Sequence, residues 1–186
     1  MAVNPEVLLV VHYDYLWKSD DDKGRIESDK PHPAMIVQAR DSDKFDGKHV
    51  YFVAISHTPP KADEGGVEIP QQVARKLGLD HERMWIKTHE INHTKWENGR
   101  FPFGIENNRH GEKVYGMMRH DVGKKAYEQV AERIRNRTLV QVNRDDEMPA
   151  RKPESDDSPR QTRQQTRVPQ NRTNNPRGRG GNDRSR

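Results

Sequence analysis

Apolar residues in this chain come in short bursts of strand length, and a sustained helical period shows only after residue 120. Residues 7–17, VLLVVHYDYLW, start fully apolar and then alternate, which predicts a first strand. Residues 33–39 carry Ala34, Met35, Ile36 and Val37 behind a proline and predict a second. After a polar turn with Asp46 and Gly47, residues 50–55 form a strongly apolar third, ended by Pro59 and Pro60. A short strand follows over 67–70. Pro70 suits the first position of a helix and Gly78 the position just past its end, so residues 71–77 read as a short helix. The β-branched and aromatic content of 84–88 and 91–96 predicts two further strands, and 114–118 a last short one beyond a polar connection over 99–111. Asp121 is a good N-cap for the one longer helix, where Val122, Ala126, Val130 and Ile134 recur every fourth residue and Tyr127 and Ala131 widen the stripe. Leu139, Val140 and Val142 would close the series as a strand.

Two stretches do not fit that pattern. Residues 18–30, KSDDDKGRIESDK, are too charged to bury and read as a mobile loop. Past Asn143 apolar periodicity ends, so the chain divides into a folded domain over 1–143 and a disordered Arg-, Gln- and Pro-rich tail over 144–186. Only 30% of the 186 residues are hydrophobic and 33% are charged, thin for a core of this length. From Ser158 onward there are eight arginines and one acid, net +7; the whole chain is +4, which leaves residues 1–157 at −3. The basic pI belongs to the tail. Arg177 and Arg179 sit in an RGG-like run, PRGRGG, of the kind that binds RNA through charge and stacking. With no cysteine, disulfides and thiolate chemistry are excluded. No apolar run is long enough to span a bilayer or has the flanks of a signal peptide, so a cytoplasmic protein without membrane contact is expected.

Many short strands with one terminal helix predict a mainly-β fold, a small and strongly bent sheet or partly closed barrel. Residues 89–93, HEINH, match the HExxH pattern of zinc peptidases. That pattern needs a helix, where residues four apart share a face and reach one ion. In a strand the same two histidines stand about 13 Å apart. The flanking Trp85, Ile86, Thr88, Ile91 and Thr94 favour a strand, so a zinc peptidase is the least favoured reading and no metal or other cofactor is expected.

The order and spacing of several segments carry more. A strand ending in Ser56-His57-Thr58-Pro59-Pro60, the VEIP strand, the short helix closed by Gly78, and the Trp85-Ile86 strand running into Glu90-Ile91-Asn92 together resemble the middle of a PemK/MazF-type toxin. The resemblance covers about residues 7–144 and implies an SH3-like barrel, a homodimer, an antitoxin partner and metal-independent cleavage of single-stranded RNA to 2′,3′-cyclic phosphate and 5′-hydroxyl ends. Such toxins place a catalytic arginine before the proline that opens the second strand, and here His32 stands before Pro33. Their catalytic Thr or Ser closes the third strand, the place of Ser56. Arg25, Lys30, His57, Thr58, Glu90 and Asn92 are the supporting candidates.

Plainer roles exist for each residue. His32 reads equally as an exposed loop-to-strand residue. Ser56 and Thr58 suit a side-chain cap on the Pro59-Pro60 turn. Trp17, Trp85 and Trp96 read as core or interface aromatics, and Glu90 and Asn92 as a pair holding the adjacent loop. The second functional class is therefore a catalytically silent barrel that binds RNA or protein.

Overall fold

The computed structural model describes residues 3–80 and 82–145. Strands β1 (Leu9–Tyr13), β2 (His32–Asp41), β3 (Gly47–Ser56), β4 (Gly66–Glu68), β5 (Trp85–Lys87), β6 (Glu90–Glu97), β7 (Val114–Met117) and β8 (Val140–Asn143) form one sheet. The helices are α1 (Lys18–Asp21), α2 (Gln71–Lys76) and α3 (His120–Arg135). The protein is mainly β, as the apolar pattern predicts.

Strand β3 organises the sheet because its two halves pair with different strands. Residues 47–52 pair with β6, whereas Ile55 and Ser56 pair with Ile86 and Trp85 of β5, which continues to β4. Its other edge pairs with β2, then β1, then β7. A bulge at Val37 shifts the β2–β3 register and so increases the local twist. The last strand, β8, runs parallel to β6, and every other pairing of named strands is antiparallel. Strands β7 and β8 do not pair with one another, so the sheet is open and no closed barrel is seen.

Each face of the sheet carries its own apolar cluster. On one, α2 packs Val73, Ala74 and Leu77, and α3 packs Val122, Ala126 and Val130, over Val10, Met35, Val53, Ile55 and Ile86. On the other, Tyr13, Tyr15, Phe52 and Trp96 are fully buried around Val11, Ala34, Ile36 and Ile105. Each fully buried aliphatic side chain contributes about 1.5–3 kcal/mol. At Gly123 the Leu8 side chain packs directly against α3, so a Cβ there would have to displace it.

Three expectations change. The stripe on α3 is buried only to Val130; Tyr127 and Ile134 remain about half exposed, at 50% and 53%. Asp121 does not cap: the helix begins at His120 with no side-chain cap, and Asp121 instead pairs with Arg119. Residues 18–30 are not a loose loop. They start as α1, and Asp14 Oδ1 accepts the Ser28 N–H at 2.7 Å. Arg144 donates to Ile26 O at 2.6 Å and to Asp14 Oδ2 at 2.9 Å, both side chains of the pair being nearly inaccessible.

Packing thus continues beyond Asn143 through Arg144 and Asp145, two residues past the expected domain end. The tail, with Arg177 and Arg179, lies outside the described residues. Among the described residues no helix is long and apolar enough to cross a membrane.

Candidate functional site

Where β3 changes partners, the sheet opens into a cleft of about 790 Å³. It forms there because Pro59 and Pro60 stop β3 from extending while β2 has only begun. The β2–β3 register pairs Ala34 with Ala54, and His32 and Ser56 each stand two residues beyond that pair on their own strands. Both residues line the cleft, together with Lys30, His57, Thr58 and Glu90. Both catalytic candidates and four of the six supporting ones are thereby brought together.

His32 is packed edge-on against Trp17, with ring centroids 5.8 Å apart. Its ring nitrogens have no hydrogen-bond partner among the described residues. Burial lowers its pKa below 6.5, and the nearby Lys30, His12 and His57 lower it further against the opposing pull of Asp14. At neutral pH the ring is uncharged and free to take a proton. Lys30 has no ion-pair partner among the described residues, which leaves its ammonium available to an anion.

The Ser56 hydroxyl oxygen accepts the Thr58 N–H at 3.2 Å, so it does cap the turn. Its own proton remains to be donated into the cleft. His57 is held by Asp80, 2.7 Å from Nε2, and by the Arg83 carbonyl, 3.0 Å from Nδ1. That imidazole is committed to the wall.

The remaining candidates are structural or distant. Glu90 is buried and accepts the Lys18 N–H at 3.3 Å, while Asn92, fully buried, exchanges two hydrogen bonds with the Leu16 backbone at 2.8 and 2.9 Å. The Glu90 carboxylate and the Asn92 carboxamide hold the segment after β1, which is the plainer role foreseen for them. Arg25 does not line the cleft and is engaged by Asp29 and Asp20.

Several cleft residues carry no local signal in the sequence. Lys87 is 5% exposed and lies 3.1 Å from Glu64, which itself takes the Lys61 N–H. Burial pushes the Glu64 carboxyl up, yet the Lys61 N–H and the Lys87 ammonium prevail and hold it down at about 2. His12 meets the Tyr115 hydroxyl at 3.0 Å, and burial lowers its pKa against the pull of Glu106. Lys87 was detectable in principle, because a lysine between Ile86 and Thr88 interrupts an otherwise buried strand. The pairing of His12 with Tyr115 spans 103 positions and had no such marker. Of the tryptophans, Trp96 is core, Trp17 forms a cleft wall, and Trp85 lies under the Arg83 guanidinium at 5.0 Å.

The HEINH residues run from the turn before β6 into that strand. His89 lines the cleft, whereas His93 is engaged with His49 and Asn143 on the sheet. The segment has strand rather than helix geometry, so the two imidazoles lack the shared helical face that zinc peptidases use.

Comparison with protein-family models, curated proteins and solved structures returns no match.

Proposed function

We propose that the protein is a metal-independent endoribonuclease of the PemK/MazF type, acting on single-stranded RNA in the cleft at the end of β3. The observation that carries this reading is the convergence of an unpartnered, neutral His32 with Ser56 and an unpaired Lys30 in one open cleft. His32 takes the proton of a ribose 2′-hydroxyl, and the 2′-oxygen attacks the adjacent phosphorus. Lys30 and the Ser56 O–H stabilise the charge that develops on the phosphoryl oxygens. The P–O5′ bond breaks, the leaving oxygen takes a proton from solvent, and the products are a 2′,3′-cyclic phosphate and a 5′-hydroxyl. Trp17 offers a face for a base.

The departure from the family's arginine supports a division of labour. Histidine is the better base near neutral pH, while the fixed positive charge that arginine would supply falls to Lys30. A homodimer, an antitoxin covering the cleft and a cytoplasmic setting belong to the same reading.

The test is incubation of the purified full chain with a long single-stranded RNA in EDTA, followed by end-group analysis. Defined cuts with cyclic-phosphate ends, lost in His32→Ala, are expected. Intact RNA from folded protein would instead favour the catalytically silent binding module, a reading that the use of Ser56 as a turn cap supports.

A further inference from the structure

At the opposite end of β3, histidines meet again. His93 of β6 lies across from Tyr51, and His49 is diagonal to it on the same sheet face. Parallel pairing of β8 with β6 sets Asn143 beside His93 and delivers Asp145 just beyond. His49, His93 and Asp145 each present a ligand atom within 4.8 Å of the others. Neither histidine lines the catalytic cleft. Seven residue-to-residue steps of strand separate His49 from Ser56, about 23 Å.

We propose that these three side chains bind a late first-row divalent cation, zinc foremost. Two imidazoles and one carboxylate select zinc, cobalt or nickel over magnesium or calcium, which prefer all-oxygen sites. The tautomer of His93 supports this. Asn143 Oδ1 accepts the Asp145 N–H at 3.3 Å, which identifies that atom as the amide oxygen. It therefore also accepts from His93 Nδ1, 3.0 Å away, so Nδ1 carries the proton and Nε2 the lone pair. Metal-binding histidines are held in this way, with the far ring nitrogen donating to a fixed acceptor.

His93 Nε2 lies 2.9 Å from His49 Nδ1, so a single proton bridges the two rings. A cation takes that proton's place. The His49 proton moves from Nδ1 to Nε2 within the same ring, and no net proton is lost from the neutral pair. Tetrahedral zinc sets ligand nitrogens about 3.3 Å apart, so the rings need to separate by only ~0.4 Å. Tyr51, with its ring centroid 4.8 Å from that of His93, and Phe45, 5.2 Å from that of His49, wall the site. The Lys95 N–H fixes one Asp145 oxygen at 2.7 Å, and the other lies 3.5 Å from Lys95 Nζ and 3.7 Å from His93 Nδ1. The Lys95 ammonium is the cation's competitor for that oxygen. Bound metal would fasten the segment leaving β8 to β3 and β6, with water as the fourth ligand.

The experiment is titration of the metal-free full chain with Zn²⁺ by calorimetry, with Co²⁺ absorption reporting coordination geometry. One equivalent and a tetrahedral cobalt spectrum are expected. His49→Gln, at a half-buried strand position, and His93→Gln should each weaken binding at least tenfold, by loss of a ligand. Lys95→Met should tighten it by removing the competing charge. His57→Gln and His89→Gln, in the cleft, should leave it unchanged. Absence of binding, or binding that survives both His49→Gln and His93→Gln, would overturn the proposal. RNA cleavage in EDTA bears only on the cleft, so the two readings fail separately.

Discussion

His32, beside the cleft end of β3, and His93, across from its other end, are held in opposite ways. At the cleft end, His32 has no hydrogen-bond partner among the described residues, and burial beside Lys30 keeps it neutral. At the far end, His93 uses both ring nitrogens, one toward Asn143 and one toward His49. An uncommitted neutral imidazole is suited to moving a proton. One whose tautomer is fixed by a neighbouring amide is suited to holding a cation. On the two readings proposed, the same residue type would acquire two chemistries from what its second nitrogen touches.

The strongest way to break this comparison is His32→Ala. It should lower single-turnover RNA cleavage by about 10²- to 10⁴-fold, the usual contribution of a positioned base, while leaving zinc affinity intact. His49→Gln is its mirror image: zinc affinity should fall at least tenfold with the cleavage rate unchanged. A variant that moved both readouts would show that the two ends are not independent.

Charge at the cleft gives a third handle. The Glu64 carboxyl is held at about 2, below its ordinary 4.5, chiefly through the Lys61 N–H and Lys87 once burial has been overcome. A depressed carboxyl contributes stability that is full above 4.5 and lost as pH falls toward 2. In Lys87→Met that acid-dependent loss should shrink, which urea midpoints measured between pH 5 and 2.5 would reveal (roughly the window set by those two values). His32 and His12 are depressed from 6.5, so their contribution is full above that pH and declines as pH drops through their lower folded values. Removing His32 should flatten that decline.

The smallest effect is expected at Ser56. Ser56→Ala loses the acceptor for the Thr58 N–H, which should cost about 1 kcal/mol by chemical denaturation. Its effect on cleavage should be smaller than that of His32→Ala, because Lys30 would still supply positive charge to the cleft. A Ser56→Ala protein that is destabilised yet cleaves normally would reduce Ser56 to its role in the turn.

What could be read from the sequence was what depends on near neighbours. Alternation and proline placement locate β2, β3 and α2, since those signals act within a few residues. Pairing between distant segments left no local trace. Asp14 and Arg144 are 130 positions apart, and their buried contact turns residues 18–30 from an expected loose loop into a pinned segment. Ile134 fits the α3 stripe by period yet stays 53% exposed, because period alone does not say which residues meet a partner. Motif order pointed to His32 and Ser56, which do line the cleft, and a lysine inside a buried strand marks Lys87, while Glu64, His12 and Tyr115 carry no such signal. HEINH shows the converse: a motif that matches letter for letter, whose second histidine finds its partners through strand register.

The most direct test of the cleft is the pH–rate profile for cleavage of a single-stranded RNA in EDTA, for wild type and His32→Ala. A general base at His32 predicts a wild-type rate that falls in acid with a midpoint below 6.5, and a His32→Ala rate that is low and lacks this acid limb. A folded wild-type protein that leaves the RNA intact at every pH, or an acid limb that persists unchanged in His32→Ala, would contradict it.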